Sequence, residues 1–144
     1  MIDFIIRESK KIMYDCCERH SKQKGLKVEN VQLILGLDEK GNNTYTICEN
    51  YVAKVDMTFL NVLGVPIDFR GYSLIAPQFI QKALVNFAIK NECESYNQIK
   101  VMCIPEKIDL KKYNVRLFLY KGKDFIEEIE FSDLFRAEDL QIPT

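Results

Sequence analysis

The chain has 144 residues, 47% of them hydrophobic and 28% charged, with a formal net charge of −1. That length suits one domain with its own core, and nine Phe with seven Tyr argue against intrinsic disorder. No run approaches the roughly 18 apolar residues of a membrane helix, and so balanced a charge gives no general pull towards nucleic acid or anionic lipid.

The opening MIDFIIRESKK has no basic leader before its apolar residues, so no signal peptide is expected. Residues 2 to 22 read as an amphipathic helix. Ile2, Ile5, Ile6, Ile12, Met13, Cys16 and Cys17 fall on one side, and Arg7, Glu8, Lys11, Asp15, Glu18 and Lys22 on the other. Asp3 suits an N-cap, and Gly25 a C-terminal stop. From Val28 to Leu37 the period changes to two, with Val31, Leu33, Leu35 and Leu37 facing one way. The turn formers Asp38 to Asn43 then lead into a strand-like Thr44 to Cys48, which predicts a β-hairpin. Tyr51, Ala53, Val55, Met57 and Phe59 alternate with mostly polar residues as a further strand.

Leu60 to Ile75 is apolar but interrupted by Gly64, Pro66 and Gly71, so it is expected to hold a short edge strand or an apolar loop. The stretch from Ala76 to Glu92 carries the strongest helical signal. Phe79, Ile80, Ala83, Leu84, Phe87 and Ala88 share one face, Val85 and Ile89 widen it, and Gln78, Lys82, Asn86 and Lys90 form a narrow polar stripe. Pro77 suits its first turn. This helix is expected to cover the sheet. Gln98 to Ile104 follows as a strand ended by Pro105, with Ile99, Val101 and Cys103 opposite Lys100 and Met102. Tyr113 to Tyr120 is a strand, Lys121 to Asp124 a tight turn, and Phe125 to Phe131 the antiparallel return. Ser132 or Asp133 caps a short helical turn through Leu140, and the tail 141–144 is expected to be loose.

The elements run α-β-β-β-α-β-β-β. The expected fold is a single α+β domain over 1–144: an antiparallel sheet of about five to six strands with two main helices in a two-layer sandwich.

Five cysteines, Cys16, Cys17, Cys48, Cys93 and Cys103, occur without a CxxC, and His20 is the one histidine. Neither a disulfide framework nor a metal site is expected, no cofactor is implied, and free cysteines point to a cytoplasmic protein. Cys16 and His20, four apart on a helix, have the spacing of a thiolate–imidazole pair, but Cys16 continues the apolar stripe, and a buried structural thiol is the simpler reading. The acidic run Glu127, Glu128, Glu130 and Asp133 reads as a solvated strand face, because Glu128 and Glu130 lie opposite Ile129 and Phe131.

The loop Asp68 to Ser73 is the most suggestive functional stretch. Arg70 lies between aromatics and just before the central helix, where a cation could grip a phosphate or carboxylate; its bland alternative is a surface pair with Asp68. The strand 113–120 carries Arg116 with Tyr113, Phe118 and Tyr120, so a basic aromatic face is available for stacking. Arg70, Tyr72, Ser73, Arg116 and Tyr120 are therefore the candidate ligand-binding residues; no catalytic residue is expected, since no nucleophile, base and stabiliser support one another.

Three functions are weighed. The first is a small cytoplasmic non-enzymatic binding protein, an inhibitor, adaptor or immunity-type factor of phage or bacterial accessory type, acting through a protein–protein interface. The second is a binder of a nucleotide or other anionic small ligand, using Arg70 and the strand 113–120. The third is a dimeric secretion-type chaperone, whose order of elements is similar to the order here; that is an analogy of fold order alone. A basic first helix and an acidic stretch from Asp124 to Asp139 also suggest a homodimer.

Overall fold

The computed structural model describes residues 2–50, 65–66, 77–109 and 113–135. Its elements in chain order are helix α1 (Ile2–Lys24), strands β1 (Val31–Leu37), β2 (Asn43–Glu49) and β3 (Val65–Pro66), helix α2 (Pro77–Lys90), strands β4 (Ile99–Lys107), β5 (Tyr113–Lys121) and β6 (Asp124–Ile129), and a short helix α3 (Phe131–Leu134). One sheet of six strands has the order β3-β2-β1-β4-β5-β6, and every neighbouring pair is antiparallel. The fold is α+β, as the alternation of helical and strand periods predicts. The expected strand Tyr51 to Phe59, the loop Asp68 to Ser73 and the tail lie outside the described residues.

Local chemistry accounts for most boundaries. Asp3 lies inside the first turn of α1, where its carboxylate still meets the helix dipole favourably. Gly25, at φ +68, ends that helix, and the Leu26 amide reaches back to the Ser21 carbonyl at 2.9 Å. The β1–β2 hairpin is closed by Asp38, whose Oδ1 accepts the Lys40 and Asn42 amides, each at 2.9 Å. Those bonds, the Asn42 amide first, hold the Asp38 carboxyl below its ordinary value. At the other end of the sheet a two-residue turn at Gly122 and Lys123 joins β5 to β6.

Pro105 corrects one expected boundary. The sequence predicts that it stops the strand, yet β4 continues through it to Lys107, with Pro105 opposite Val115 of β5. The register of β1 along β4 spans only Lys100 to Cys103. Beyond Cys103 the other edge of β4 has no registered partner among the described residues, and a proline without a donor fits on such an edge.

Both long helices lie on the same face of the sheet. Met13, Tyr14, Cys16 and Cys17 of α1, and Ile80, Ala83, Leu84 and Ala88 of α2, join Leu33, Leu35, Val101, Cys103, Leu117 and Leu119 in one buried cluster. Fully burying one such leucine or isoleucine side chain contributes about 1.5–3 kcal/mol. Phe131, Leu134 and Phe135 close the cluster at the α3 end, with the rings of Phe131 and Phe135 stacked at 6.4 Å. The opposite face carries a second, smaller cluster of Ile34, Cys48 and Met102, flanked by Ile104, Phe118 and Tyr120. All seven residues of β1 are consequently buried. The sequence shows alternation on this strand, and the second apolar face comes from neighbours that alternation alone does not reveal.

Candidate functional site

Of the five residues singled out for ligand binding, Arg70, Tyr72 and Ser73 lie outside the described residues. Arg116 and Tyr120 stand on β5, on the face opposite the helices. The Arg116 guanidinium is already engaged. Its Nε and one terminal nitrogen donate to the two carboxylate oxygens of Glu128 at 3.0 and 2.6 Å. Its other terminal nitrogen lies 3.5 Å from Glu106, and its plane sits 5.0 Å from the Phe118 ring centre. Hydrogen bonding to Arg116 holds the Glu128 carboxyl below its ordinary value. A fork-shaped cation between two carboxylates has little left to offer a phosphate. The adjoining cleft of about 360 Å³ is lined in part by Lys10, Glu106, Arg116, Glu128, Glu130 and Phe131, and the Lys10 amine rests 5.1 Å from the Phe131 ring centre.

Cys16 and His20 do not form a pair. His20 Nε2 lies 3.3 Å from Glu49 Oε2 at the end of β2, which ties α1 to the hairpin. Cys16 is buried, and that burial raises its thiol above the ordinary value, opposite to what a nucleophile requires. Glu128 and Glu130 are exposed beside buried Ile129 and Phe131, as the acidic run predicts. Glu130 also starts α3, its amide donating to Asp133 Oδ2 at 2.9 Å.

Two other places stand out, and pattern reading found neither. The first is the C-terminal end of α2. The Cys93 amide reaches the Ala88 carbonyl at 3.0 Å and the Glu92 amide reaches Ile89 at 3.1 Å, with Glu92 itself left-handed at φ +55. This is a Schellman ending with glutamate where glycine is usual. Lys121 of β5 donates to the carbonyls of Asn91 and Glu92 at 2.8 and 3.4 Å, fixing the end of the helix against the sheet. The reversal leads the chain to Tyr96, whose ring lies over Gly41 in the β1–β2 loop, 3.4 Å from where a Cβ would stand. Gln81 Nε2 donates to the Gly41 carbonyl at 2.6 Å, which ties the hairpin loop to the helix.

The result is an open cleft of about 370 Å³ lined by Glu39, Ala88, Ile89, Cys93, Glu94, Ser95 and Tyr96. Ile89 is 66% exposed and Tyr96 37%. The helical pattern expects Ile89 on the covered face; the structure corrects that, because the sheet surface that holds Leu84 and Ala88 does not extend round the helix to Ile89.

The second place is Lys100, in the middle of the sheet on the face opposite α1 and α2. It is 3% exposed. Its registered neighbours are Gly36 on β1 and Tyr120 on β5, and Met102 and Ile34 follow one step along the same face. Burial of the side chain pushes its amine below the ordinary value.

Comparison of the chain with protein-family models, with curated proteins and with solved structures finds no match.

Proposed function

We propose that this protein acts by binding another polypeptide, as an inhibitor, adaptor or immunity-type factor, through the cleft at the C-terminal end of α2. The observation that carries the reading is Ile89, a large apolar side chain 66% exposed on a rigidly anchored helix end beside Tyr96. Apolar surface rimmed by polar groups is characteristic of interaction sites, and aromatic residues are favoured anchors in them. The charged residues that line the cleft are acidic: Glu39 and Glu94, both exposed. The partner segment that suits it presents an apolar side chain flanked by Lys or Arg, so that its charges meet the rim while its apolar group enters the cleft. Because Lys121, Gln81 and the helix ending hold the surface in place, little ordering entropy is lost on binding.

The test compares affinity capture by the unaltered chain with capture by Ile89→Asp and Tyr96→Ala. Both substitutions fall on exposed side chains, and far-ultraviolet circular dichroism should be unchanged. A partner retained in stoichiometric amount by the unaltered chain and lost from both variants is the expected result. Equal retention by all three proteins would remove this surface from consideration. Sedimentation of the same set separates the homodimer: concentration-dependent self-association abolished by Ile89→Asp would make the partner a second copy.

A further inference from the structure

β6 is the terminal strand of the sheet, and its outer edge has no strand beside it among the described residues. Backbone amides and carbonyls on such an edge are donors and acceptors for one further strand. Four of the six residues of β6 are exposed, Phe125 to 54%. The Phe125 ring lies 6.2 Å from the Phe118 ring centre and 5.6 Å from that of Tyr120. An irregularity between Leu119 and Tyr120 sets Tyr120 opposite Phe125 and Leu119 opposite Glu127. Phe125 and Glu128 therefore share the face opposite α1 and α2, and Glu127 and Ile129 the face that those helices cover. Where β6 ends, the cleft of about 360 Å³ is lined from both sides, by Lys10 and Val115 on the helix side and by Arg116 and Glu128 on the other. Its three carboxylates, Glu106, Glu128 and Glu130, outnumber its two cations, Lys10 and Arg116. β6 itself carries Asp124, Glu127 and Glu128 and no cation.

From this we infer that the β6 edge accepts an extended, lysine- or arginine-rich segment of a partner protein as an additional strand. Main-chain hydrogen bonds to β6 supply the attachment, and alternate side chains supply the selectivity. Basic side chains on one face of the segment lie beside Glu127, and a basic side chain at its end meets the surplus carboxylate of the cleft. Apolar side chains on the other face pack on Phe125, as cross-strand neighbours do. Charge selects this occupant over a second copy. Two β6 edges laid side by side would bring Asp124, Glu127 and Glu128 of one chain against the same acids of the other, and like charges across a strand pair are destabilising. The acids that discourage self-pairing are the ones that attract a basic strand. The inference is independent of the α2 cleft, since the two places share no residue.

Fluorescence anisotropy of labelled peptides with the full chain tests it. The probes are a short peptide alternating lysine with valine, its counterpart with glutamate in place of lysine, and the lysine peptide with its backbone amides N-methylated, which keeps the charge and removes the strand donors. The lysine peptide is expected to bind saturably, and the other two at least about tenfold more weakly. Amide hydrogen exchange of the unaltered chain with the lysine peptide bound should show new protection at residues 124–129. Glu127→Lys, a change at an exposed side chain, should weaken binding by about tenfold, while Ile89→Asp should leave it unchanged. No saturable binding of the lysine peptide, equal binding of the glutamate or N-methylated peptide, protection that falls elsewhere than β6, or undiminished binding by a folded Glu127→Lys would each overturn the inference. The peptide comparison and the exchange pattern on the unaltered chain decide it even if a variant fails to fold.

Discussion

Leu84 and Ile89 belong to one helix and to one stretch of apolar periodicity, yet Leu84 is fully buried and Ile89 is 66% exposed. Their substitutions should therefore diverge. Leu84→Ala removes a fully buried side chain from the core cluster between α2 and the sheet, and should cost about 2–5 kcal/mol. Ile89→Ala should change stability by no more than about 0.5 kcal/mol. Urea unfolding followed by circular dichroism measures both; similar losses for the two would mean that the helix is covered on both sides. Phe79 and Phe87, expected alongside Leu84 as the cover of the sheet, are only partly buried and pack at the margin of the cluster. The helical pattern identifies which residues are candidates for the core, but the width of the covering surface decides how many are admitted.

At the scale of elements, the two long helices end in related ways with different residues at the reversing position. Gly25 takes φ +68 after α1, and Glu92 takes φ +55 after α2. Glycine occupies that region without steric cost, and a residue with a Cβ does not. Glu92→Gly is therefore expected to stabilise the protein by about 0.5–1 kcal/mol, and Gly25→Ala to destabilise it by about 1 kcal/mol. Chemical denaturation of both variants checks the pair, and a loss of stability in Glu92→Gly would show that the glutamate side chain contributes more than its backbone strain removes. The stop at Gly25 was legible in the sequence, because glycine after an apolar helical run is a strong local signal. The stop after α2 was not, since the groups that fix it, Lys121 and the Cys93 and Glu92 amides, act through the fold or through backbone geometry. Pro105 gives the complementary lesson: a local breaker was overruled because the strand edge it occupies needs no donor there.

Across the whole molecule, burial of thiols and phenols sets the response to alkali. Burial pushes Cys48 and Tyr45 up to about 12, and raises Cys16, Cys17 and Cys103 from an ordinary value of 9.0. Each of these groups holds its proton more tightly folded than unfolded. Each contributes stability that is complete below the unfolded value and is lost as pH rises towards the folded one. Lys100 has the opposite sign, because its lowered value penalises the fold below it and relieves that penalty as pH rises. One amine opposes four thiols and a phenol, so stability should fall as pH rises above about 9. Urea midpoints measured under reducing conditions at neutral pH and at several alkaline values check this, and a midpoint that stays level or climbs would show that these groups are not buried in solution.

No helix of the described structure is long and apolar enough to cross a membrane. Elements and their types were set by short-range information: period 3.6 in α1 and α2, period 2 in β1, and turn residues at Asp38 to Asn43 and at Gly122. The antiparallel direction of the β1–β2, β4–β5 and β5–β6 pairs follows from them, because short connections leave such strands no other direction, whereas the β1–β4 pair joins strands far apart in the chain. What only the tertiary structure decided is which outlying positions are buried, exposed or paired. Lys100 reads in the sequence as the polar side of a half-solvated strand and is enclosed; Ile89 reads as core and is exposed; Arg116 reads as a free cation and is held by Glu106 and Glu128. The physical reason is the same in each case. Backbone conformation responds to a residue's neighbours along the chain, whereas solvation and charge respond to neighbours in space, and the strands and helices that surround these three side chains are brought together only by the fold.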